Sequence, residues 1–458
     1  MSLSARSDYD AYVVLRNHDF RLFLAMRFFL TLGIQIQGTV VGWQIYEMTK
    51  DPLSLGLIGL TEAIPFMALI LYGGHLADLY SRKKLIVYTL MGYLVGAGLL
   101  FLFTLQPGDF LHQYGTFPIY AVIFMTGIAR AFSGPAVSSF MPELVEKSQY
   151  ANAATWNSTF WQTAAVSGPA LGGFIYAIAQ KWLPHVFHSS KTASNFNYGT
   201  VVSYGVVVLL VIVSIICVLF ITKKPIEHKI TQETLQERLV AGLRFVFRNQ
   251  IIMGALSLDM FAVFFGGAVA LLPIFAEKIL TVGSQDWGIL QDGATRLGLL
   301  RAAPSVGAAV MGLVLAHRPP LYNTGKRLFG YVAGFGLCMI LFALSKNFYL
   351  SFLILIVSGA LDAMSVVIRS TILQLMIPYE MRGRVSAVNS IFVGSSNEIG
   401  SFESGLAAKL LGLVPSVVFG GTMTLGVVGV MSRVLPQLRD FELVKCTVSE
   451  IDENKQST

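Results

Sequence analysis

Twelve long apolar stretches constrain this chain more than any other feature. They fall at about 20–46, 53–77, 84–106, 117–141, 150–178, 200–222, 251–275, 294–316, 327–345, 348–376, 384–410 and 414–435. Each approaches or exceeds the ~20 residues that a helix needs to cross a bilayer core. Lipid offers no partner to backbone N–H and C=O groups, so each stretch is expected as a helix that satisfies its own backbone. Composition agrees. Of 458 residues, 54% are hydrophobic and 13% charged, against the about 25% charge usual in soluble domains. The expected fold class is therefore an all-α polytopic membrane protein with 12 transmembrane helices. Soluble enzymes, disordered chains, collagens and nucleic-acid binders are disfavoured. The fifth and eleventh stretches are richer in Ser, Asn and Gly, as tightly packed or cavity-facing helices are.

Orientation follows from the basic residues. With both termini cytoplasmic, 22 of the 33 Lys and Arg fall on the cytoplasmic side, six lie within spans, and five lie outside: Lys50, Lys181, Lys191, Lys278 and Lys346. That asymmetry sets the topology, and it accounts for the net charge of +7 without invoking nucleic acid. The N-terminus carries Asp8, Asp10 and Asp19 and lacks the order of a cleaved signal, so the first span is expected to be retained. Cys217, Cys338 and Cys446 have neither disulfide nor metal-site spacing. The expected organisation is a cytoplasmic segment 1–19, a six-helix bundle 20–222, a linker 223–250, a second bundle 251–437 and a cytoplasmic tail 438–458. In the linker, Leu235, Leu239, Val240, Leu243, Val246 and Phe247 form one helical stripe, with Thr231 as N-cap and Glu233 in the first turn. This predicts an amphipathic helix on the inner leaflet, tethering the two bundles.

The two halves repeat. A shift of 232 takes Gly127-Ile-Ala-Arg-Ala131 to Gly359-Ala-Leu-Asp-Ala363, Asn157 to Asn389, Gly168 to Gly400 and Gly173 to Gly405. A shift of 239 takes Glu62-Ala-Ile-Pro65 to Arg301-Ala-Ala-Pro304. Two parallel six-span repeats are a transporter arrangement. The repeat also pairs charges of opposite sign: Arg27 with Asp259, Glu62 with Arg301, Arg130 with Asp362. Charges at bilayer depth cost ~2.5–3.5 kcal/mol on insertion scales, so they are expected to face a cavity or one another. Spans 1, 4, 7 and 10 are thus expected to present Arg27, Arg130, Asp259 and Asp362 to a central polar cleft, with an Arg27–Asp259 contact as a gate. Locking ion pairs without ligand contact are the alternative, and the two roles are compatible.

Span 11 adds Glu398 and Glu403. Five residues apart, they lie about 140° apart around a helix and face different ways. With Asp259, Asp362 and the weaker Glu62, which Arg301 would neutralise, they are the candidates for proton coupling; a neutral acid bonded between helices is the alternative for each. On span 1, Gln35, Gln37, Thr39 and Gln44 follow Arg27. Gln37 and Gln44 share a face, and their amides suit a polar organic ligand. The Trp43 indole suits such a ligand too, but it is expected in the aromatic belt near the outer membrane surface.

Three stretches resemble motifs of the major facilitator family. Gly74-His-Leu-Ala-Asp78-Leu-Tyr-Ser-Arg82-Lys83-Lys84, between spans 2 and 3, resembles the family's loop signature, with Leu79 and Ser81 replacing a basic residue and a Gly. The resemblance implies that Asp78 latches the halves together on the cytoplasmic side. The counterpart in the second half, around Gly312 to Arg318, is degenerate. Arg130-Ala-Phe-Ser-Gly134 in span 4 resembles the Arg-x-x-Gln-Gly signature, implying proton transfer or a buried salt bridge at Arg130. Gly168-Pro169-Ala-Leu-Gly172-Gly173 in span 5 is similar to the antiporter signature except that Ala164 replaces its first Gly. The bottom-up alternative is tight helix packing, with a kink at Pro169. Residues 20–440 as a whole resemble the family's third drug–proton antiporter group. The resemblance implies the major facilitator fold with two six-helix pseudo-repeats, alternating access, and proton-coupled efflux of a siderophore, macrolide or drug across a bacterial inner membrane. Import of such a solute, and a non-transporting sensor or assembly partner, are the rival readings. No GxxxxGK[ST], HExxH or GxSxG pattern occurs, so neither ATP hydrolysis nor intramembrane enzymology is expected. The partners expected are a small organic solute, protons and lipid, with no cofactor, no metal and a monomeric state.

Overall fold

The computed structural model describes residues 12–105, 109–146, 149–186, 197–222, 235–282, 288, 290–317, 323–378 and 381–442. Thr231 and Glu233 lie outside them. The spans run His18–Thr49, Pro52–Leu79, Arg82–Leu105, Phe117–Leu144, Tyr150–Val186 and Tyr198–Phe220 in the first half. The second half opens with span 7, Gln250–Ile279. Gly293–His317, Thr324–Leu344, Phe348–Met376, Arg382–Leu411 and Leu413–Val434 follow as spans 8 to 12. Ten of these are long and apolar enough to cross a membrane. The two that complete the set, spans 5 and 11, are those the sequence marked as richest in small and polar residues. The chain is thus an all-helical membrane protein of two six-helix pseudo-repeats.

Local chemistry sets the helix ends. Asn17, Asp51, Asn197, Asn249 and Asn347 each accept from backbone N–H groups in the first turn of the helix they precede, satisfying donors that the helix leaves open. Lys50 closes span 1 in the left-handed conformation, φ 50°. Span 7 changes character at Gly266-Gly267: α-helix to Phe265, then a 3₁₀ turn, one α turn and a π turn to Ile279. Gly266 has no Cβ because Phe335 of span 9 occupies that space.

Contacts reproduce the repeat. Gly127 of span 4 lies against Glu62 and Pro65 of span 2; the matching Gly359 of span 10 lies against Pro304 of span 8. Gly168 of span 5 meets the Leu32 carbonyl of span 1, and Gly400 of span 11 meets the Phe264 carbonyl of span 7. Each pair is related by the shifts read in the sequence. The halves meet chiefly through span 2 on span 11 and span 5 on span 8. A Cβ on Gly56 would stand 3.0 Å from the Gly405 Cα, one on Gly59 2.6 Å from the Glu398 carbonyl, and one on Gly298 2.5 Å from the Pro169 carbonyl. Small residues here let backbones touch across the half interface, as lipid-embedded helices require. These contacts lie near mid-depth or toward the face bearing residues 50 and 51, called here the far face; the other is the termini face.

The helix Leu235–Arg248 forms as expected. Gly242 rests on the Arg384 carbonyl and Val246 is buried beside Val385 and Val388 of span 11. Val240, Leu243 and Phe247 remain exposed. The stripe is therefore divided: one edge docks on the second half, and the other stays open.

Candidate functional site

Three charged side chains converge at mid-depth. Arg130 Nη1 of span 4 donates to Glu62 Oε1 of span 2 at 2.7 Å and to Glu398 Oε1 of span 11 at 2.6 Å. Its guanidinium also lies over the Phe66 ring, 4.9 Å from the centroid. Gly127 and Gly59 make this possible by drawing spans 4, 2 and 11 into backbone contact. Side-chain exposures are 37% for Arg130, 27% for Glu62 and 15% for Glu398. Glu398 belongs to the other half, so the cluster links the two lobes. A second link runs the opposite way. Arg301 of span 8 donates to the Gly38 carbonyl of span 1 at 2.6 Å, and both carboxylates act on it electrostatically. Gly38 and Gly42 leave room for its guanidinium. Each half thus sends one arginine onto the other.

The structure redistributes the other candidates. Asp259 does not meet Arg27. It is paired with Arg369 of span 10, both nearly sealed at 8% and 7% side-chain exposure. This is a pair internal to the second half. Arg369 is absent from the sequence reading; its signal is the spacing from Asp362, two turns along the same stripe of span 10. The shift of 232 places Val137 where the second half has Arg369. Val137, being apolar, cannot answer Arg27 as Arg369 answers Asp259. Arg27 and Asp362 are both half-buried, and neither has a hydrogen bond or ion pair among the described residues.

Gln44 is buried and accepts from the Tyr204 hydroxyl of span 6 at 2.6 Å, so it serves the bundle interior and not a cleft. Gln37, on the same face, is half-buried. Gln35 packs against span 5, where a Cβ on Gly168 would stand 2.5 Å from its own Cβ. Trp43 is not a belt residue: it is 6% exposed, and its ring fills the space left by Gly293 of span 8. Glu403, also on span 11, is half-buried and takes no part in the ion pairs that hold Glu398.

Of the family-like motifs, the span 5 signature has a clear packing role. Gly168 and Gly172 admit span 1, while Gly173 admits the Ala294 carbonyl of span 8; Pro169 sits inside a helix that continues through it. In the loop signature, Arg82 pairs with Glu143 and donates to the Ser139 carbonyl at 3.0 Å. Lys83 donates to the Leu219 and Ile221 carbonyls at 3.0 and 2.6 Å, capping span 6. Gly74 is open and Lys84 exposed; the Asp78 side chain lies outside those described. Arg82 and Lys83 thus tie spans 3, 4 and 6 of one half together. Among the described residues there is no group of metal-binding side chains.

The far face is closed by ions and aromatics. Lys50 binds Glu277 of span 7 at 2.7 Å and lies over the Tyr46 ring; Asp51 lies 3.7 Å from Lys409 of span 11. Glu47 accepts from Trp43, Tyr176 and Asn197. These two pairs cross between the halves but stay partly exposed, so each is worth about 0–1 kcal/mol. Lys50→Glu is expected to raise the far-face-open population by roughly fivefold or less, and the swap Lys50→Glu with Glu277→Lys to restore it. Spin-label distances across that face measure both; a swap that fails to restore closure overturns the assignment.

Among known proteins, the chain matches the Major Facilitator Superfamily over residues 23–401. It is 27% identical over 448 residues to the enterobactin exporter EntS of Shigella dysenteriae serotype 1, covering 96% of this chain and 97% of that protein. It is 26% identical to EntS of Escherichia coli K12 over the same length. Its fold resembles the solved inward-facing, occupied structure of a bacterial homologue of the human lysosomal transporter Spinster, with a TM-score of 0.66 at 15% identity over 94% of this chain and 98% of that one. With the two pseudo-repeats and the arginines exchanged between them already established, the match over most of its length means that this chain belongs to the Major Facilitator Superfamily.

Proposed function

We propose that this transporter exports an amphipathic organic solute, of siderophore or macrolide type, across a bacterial inner membrane in exchange for protons, with both termini cytoplasmic. The observation that carries the reading is the Glu62–Arg130–Glu398 cluster, in which a carboxylate from one half and a guanidinium from the other meet at mid-depth. A proton on Glu398 cancels its hold on Arg130. That weakens one of the two arginine links and shifts the balance between the two ways the halves meet. Solute binding between the halves acts on the same equilibrium, so the two events are coupled through a shared contact. The likeness to enterobactin exporters supports the direction and the solute class. The excess of Lys and Arg on the termini side supports the orientation. The chain is proposed to act as a monomer.

Proteoliposomes with an imposed pH gradient, tested with a panel of siderophores and macrolides, decide the matter. Solute movement against its own gradient, driven by protons moving the other way, is the expected result. Glu398→Gln is expected to keep downhill exchange of solute while losing gradient-driven accumulation. Accumulation by Glu398→Gln at the native rate would place the coupling elsewhere, and solute movement blind to pH in the native protein would end the antiport reading.

A further inference from the structure

The polar groups of the interior are largely spoken for: Arg130 by two carboxylates, Arg301 by a carbonyl, Asp259 by Arg369. Arg27 is different. It is a half-buried cation without an ion pair or hydrogen bond among the described residues. A guanidinium stays charged under all ordinary conditions, and an uncompensated charge at this depth is costly.

Its direction follows from the helix. Gly38 lies 11 residues along span 1, about 20° around the axis from Arg27, and Gly38 is where Arg301 of the second half docks. Arg27 therefore points into the space between the halves, about 16 Å nearer the termini face. One residue on, Phe28 meets Phe160 of span 5 edge-on at 6.1 Å. Spans 1 and 5 run parallel, since Gly168 meets Leu32 and Gly172 meets Ile36. In parallel helices, the residue before one contact and the residue after its partner fall on the same side. Trp161 thus flanks the Phe28–Phe160 contact on the side of Arg27. It is 43% exposed, and Gln162, next in sequence, reaches the Ser305 carbonyl of span 8 at 3.4 Å. An open indole and an unpaired guanidinium share one wall between spans 1, 5 and 8.

From this we infer that Arg27 and Trp161 form a subsite for an organic acid carried on an aromatic ring, the guanidinium binding the carboxylate and the indole stacking on the ring. The inference rests on the transport reading, and it narrows the solute to a class. The charge-assisted contact gives selectivity for acid over neutral analogue, and the indole gives selectivity for flat rings over saturated ones.

The test is binding of 2-naphthoate, 2-naphthamide and cyclohexanecarboxylate to nanodisc-embedded full-length protein by titration calorimetry, with empty nanodiscs subtracted. The native protein is expected to favour 2-naphthoate over the amide by about tenfold or more. Arg27→Gln abolishes that preference, and Arg27→Lys keeps part of it. Trp161→Ala weakens 2-naphthoate by roughly two- to tenfold while leaving cyclohexanecarboxylate unchanged. Unaltered elution and melting temperature establish that each variant is folded. Equal affinity for acid and amide in the native protein, or a preference that survives Arg27→Gln, overturns the subsite. That result leaves pH-driven transport in proteoliposomes untouched. Conversely, Arg27-dependent acid binding by a protein that moves no solute would uphold the subsite and remove the transport reading.

Discussion

Substituting Asp259 with alanine is expected to destabilise the protein by about 3–5 kcal/mol, because it leaves Arg369 charged, buried and alone. The two side chains are nearly sealed from solvent. Ala255, Leu258, Ala262, Ile368 and Ile372 belong to the apolar cluster around them, so water cannot replace the lost carboxylate. A pair of this kind contributes little relative to apolar residues of equal size, yet breaking it from one side costs a great deal. The double variant Asp259→Leu with Arg369→Met is therefore expected to regain most of the melting temperature lost by Asp259→Ala. It is also expected to keep pH-driven transport, since the pair lies within one half and the cluster that links the halves does not include it. Thermal melts in detergent with size-exclusion chromatography measure the first outcome, and proteoliposome uptake the second. Equal melting of the single and double variants would show that the charge on Arg369 is compensated by some other group.

That pair also marks where the sequence stops being informative. Helix number, the repeat and the depth of each charge all follow from patterns local to a stretch: hydrophobic length, a constant shift, a charge inside an apolar run. The glycine contacts at 127 and 359 obey the same shifts that align their strings, because backbone approach is fixed by residue size alone. Partner choice is another matter. Asp259 and Arg27 are repeat mates of opposite sign, which makes their pairing plausible on paper. In space each lies in its own half, and Asp259 is met first by span 10 of its own half. Arg369 was visible as a charge seven residues beyond Asp362, but nothing local to span 7 pointed to it.

Trp43 and Gln44 teach the same lesson at closer range. An indole near the end of a span reads as a belt residue, yet Gly293 leaves a slot in the opposite half that only the folded chain supplies. An amide on span 1 reads as ligand-facing, yet Tyr204, 160 positions away, takes it. Lys50 and Glu277 are 227 residues apart, so their meeting depends on how two lobes close. Arg130, Glu62 and Glu398 were each legible as buried charges that lipid forces to be answered, but Glu62 was expected to meet Arg301 and it meets Arg130. Which acids answer it depended on glycines at 59 and 127 that bring three backbones together.

Arg130→Met is expected to lower pH-driven transport at least ~100-fold, about 2.7 kcal/mol or more on the barrier. Its effect differs in kind from that of Asp259→Ala, because Arg130 binds one carboxylate in its own half and one in the other. Without it, Glu62 and Glu398 face each other across the interface between spans 2 and 11, and Arg301, on which both act, is already bonded to the Gly38 carbonyl. Two ionised carboxylates at that distance repel, and the cheapest relief is a proton shared between them. The cluster would then stay protonated through the cycle, so proton release and the conformational exchange would no longer be linked. Arg130→Lys tests the geometry separately. An ammonium supplies the charge but not the planar fork that reaches two acceptors at once, so it is expected to keep the fold and lose roughly tenfold in rate. Adding Glu398→Gln to Arg130→Met removes the repulsion; the double variant is expected to recover the native melting temperature but not gradient-driven accumulation. Stability and coupling are thereby read apart: melting follows the balance of charge in the cluster, whereas accumulation requires a carboxylate that can take up a proton and let go of an arginine in the other lobe. Native accumulation by Arg130→Met, with an unchanged dependence on the pH gradient, would show that the halves communicate through some other contact.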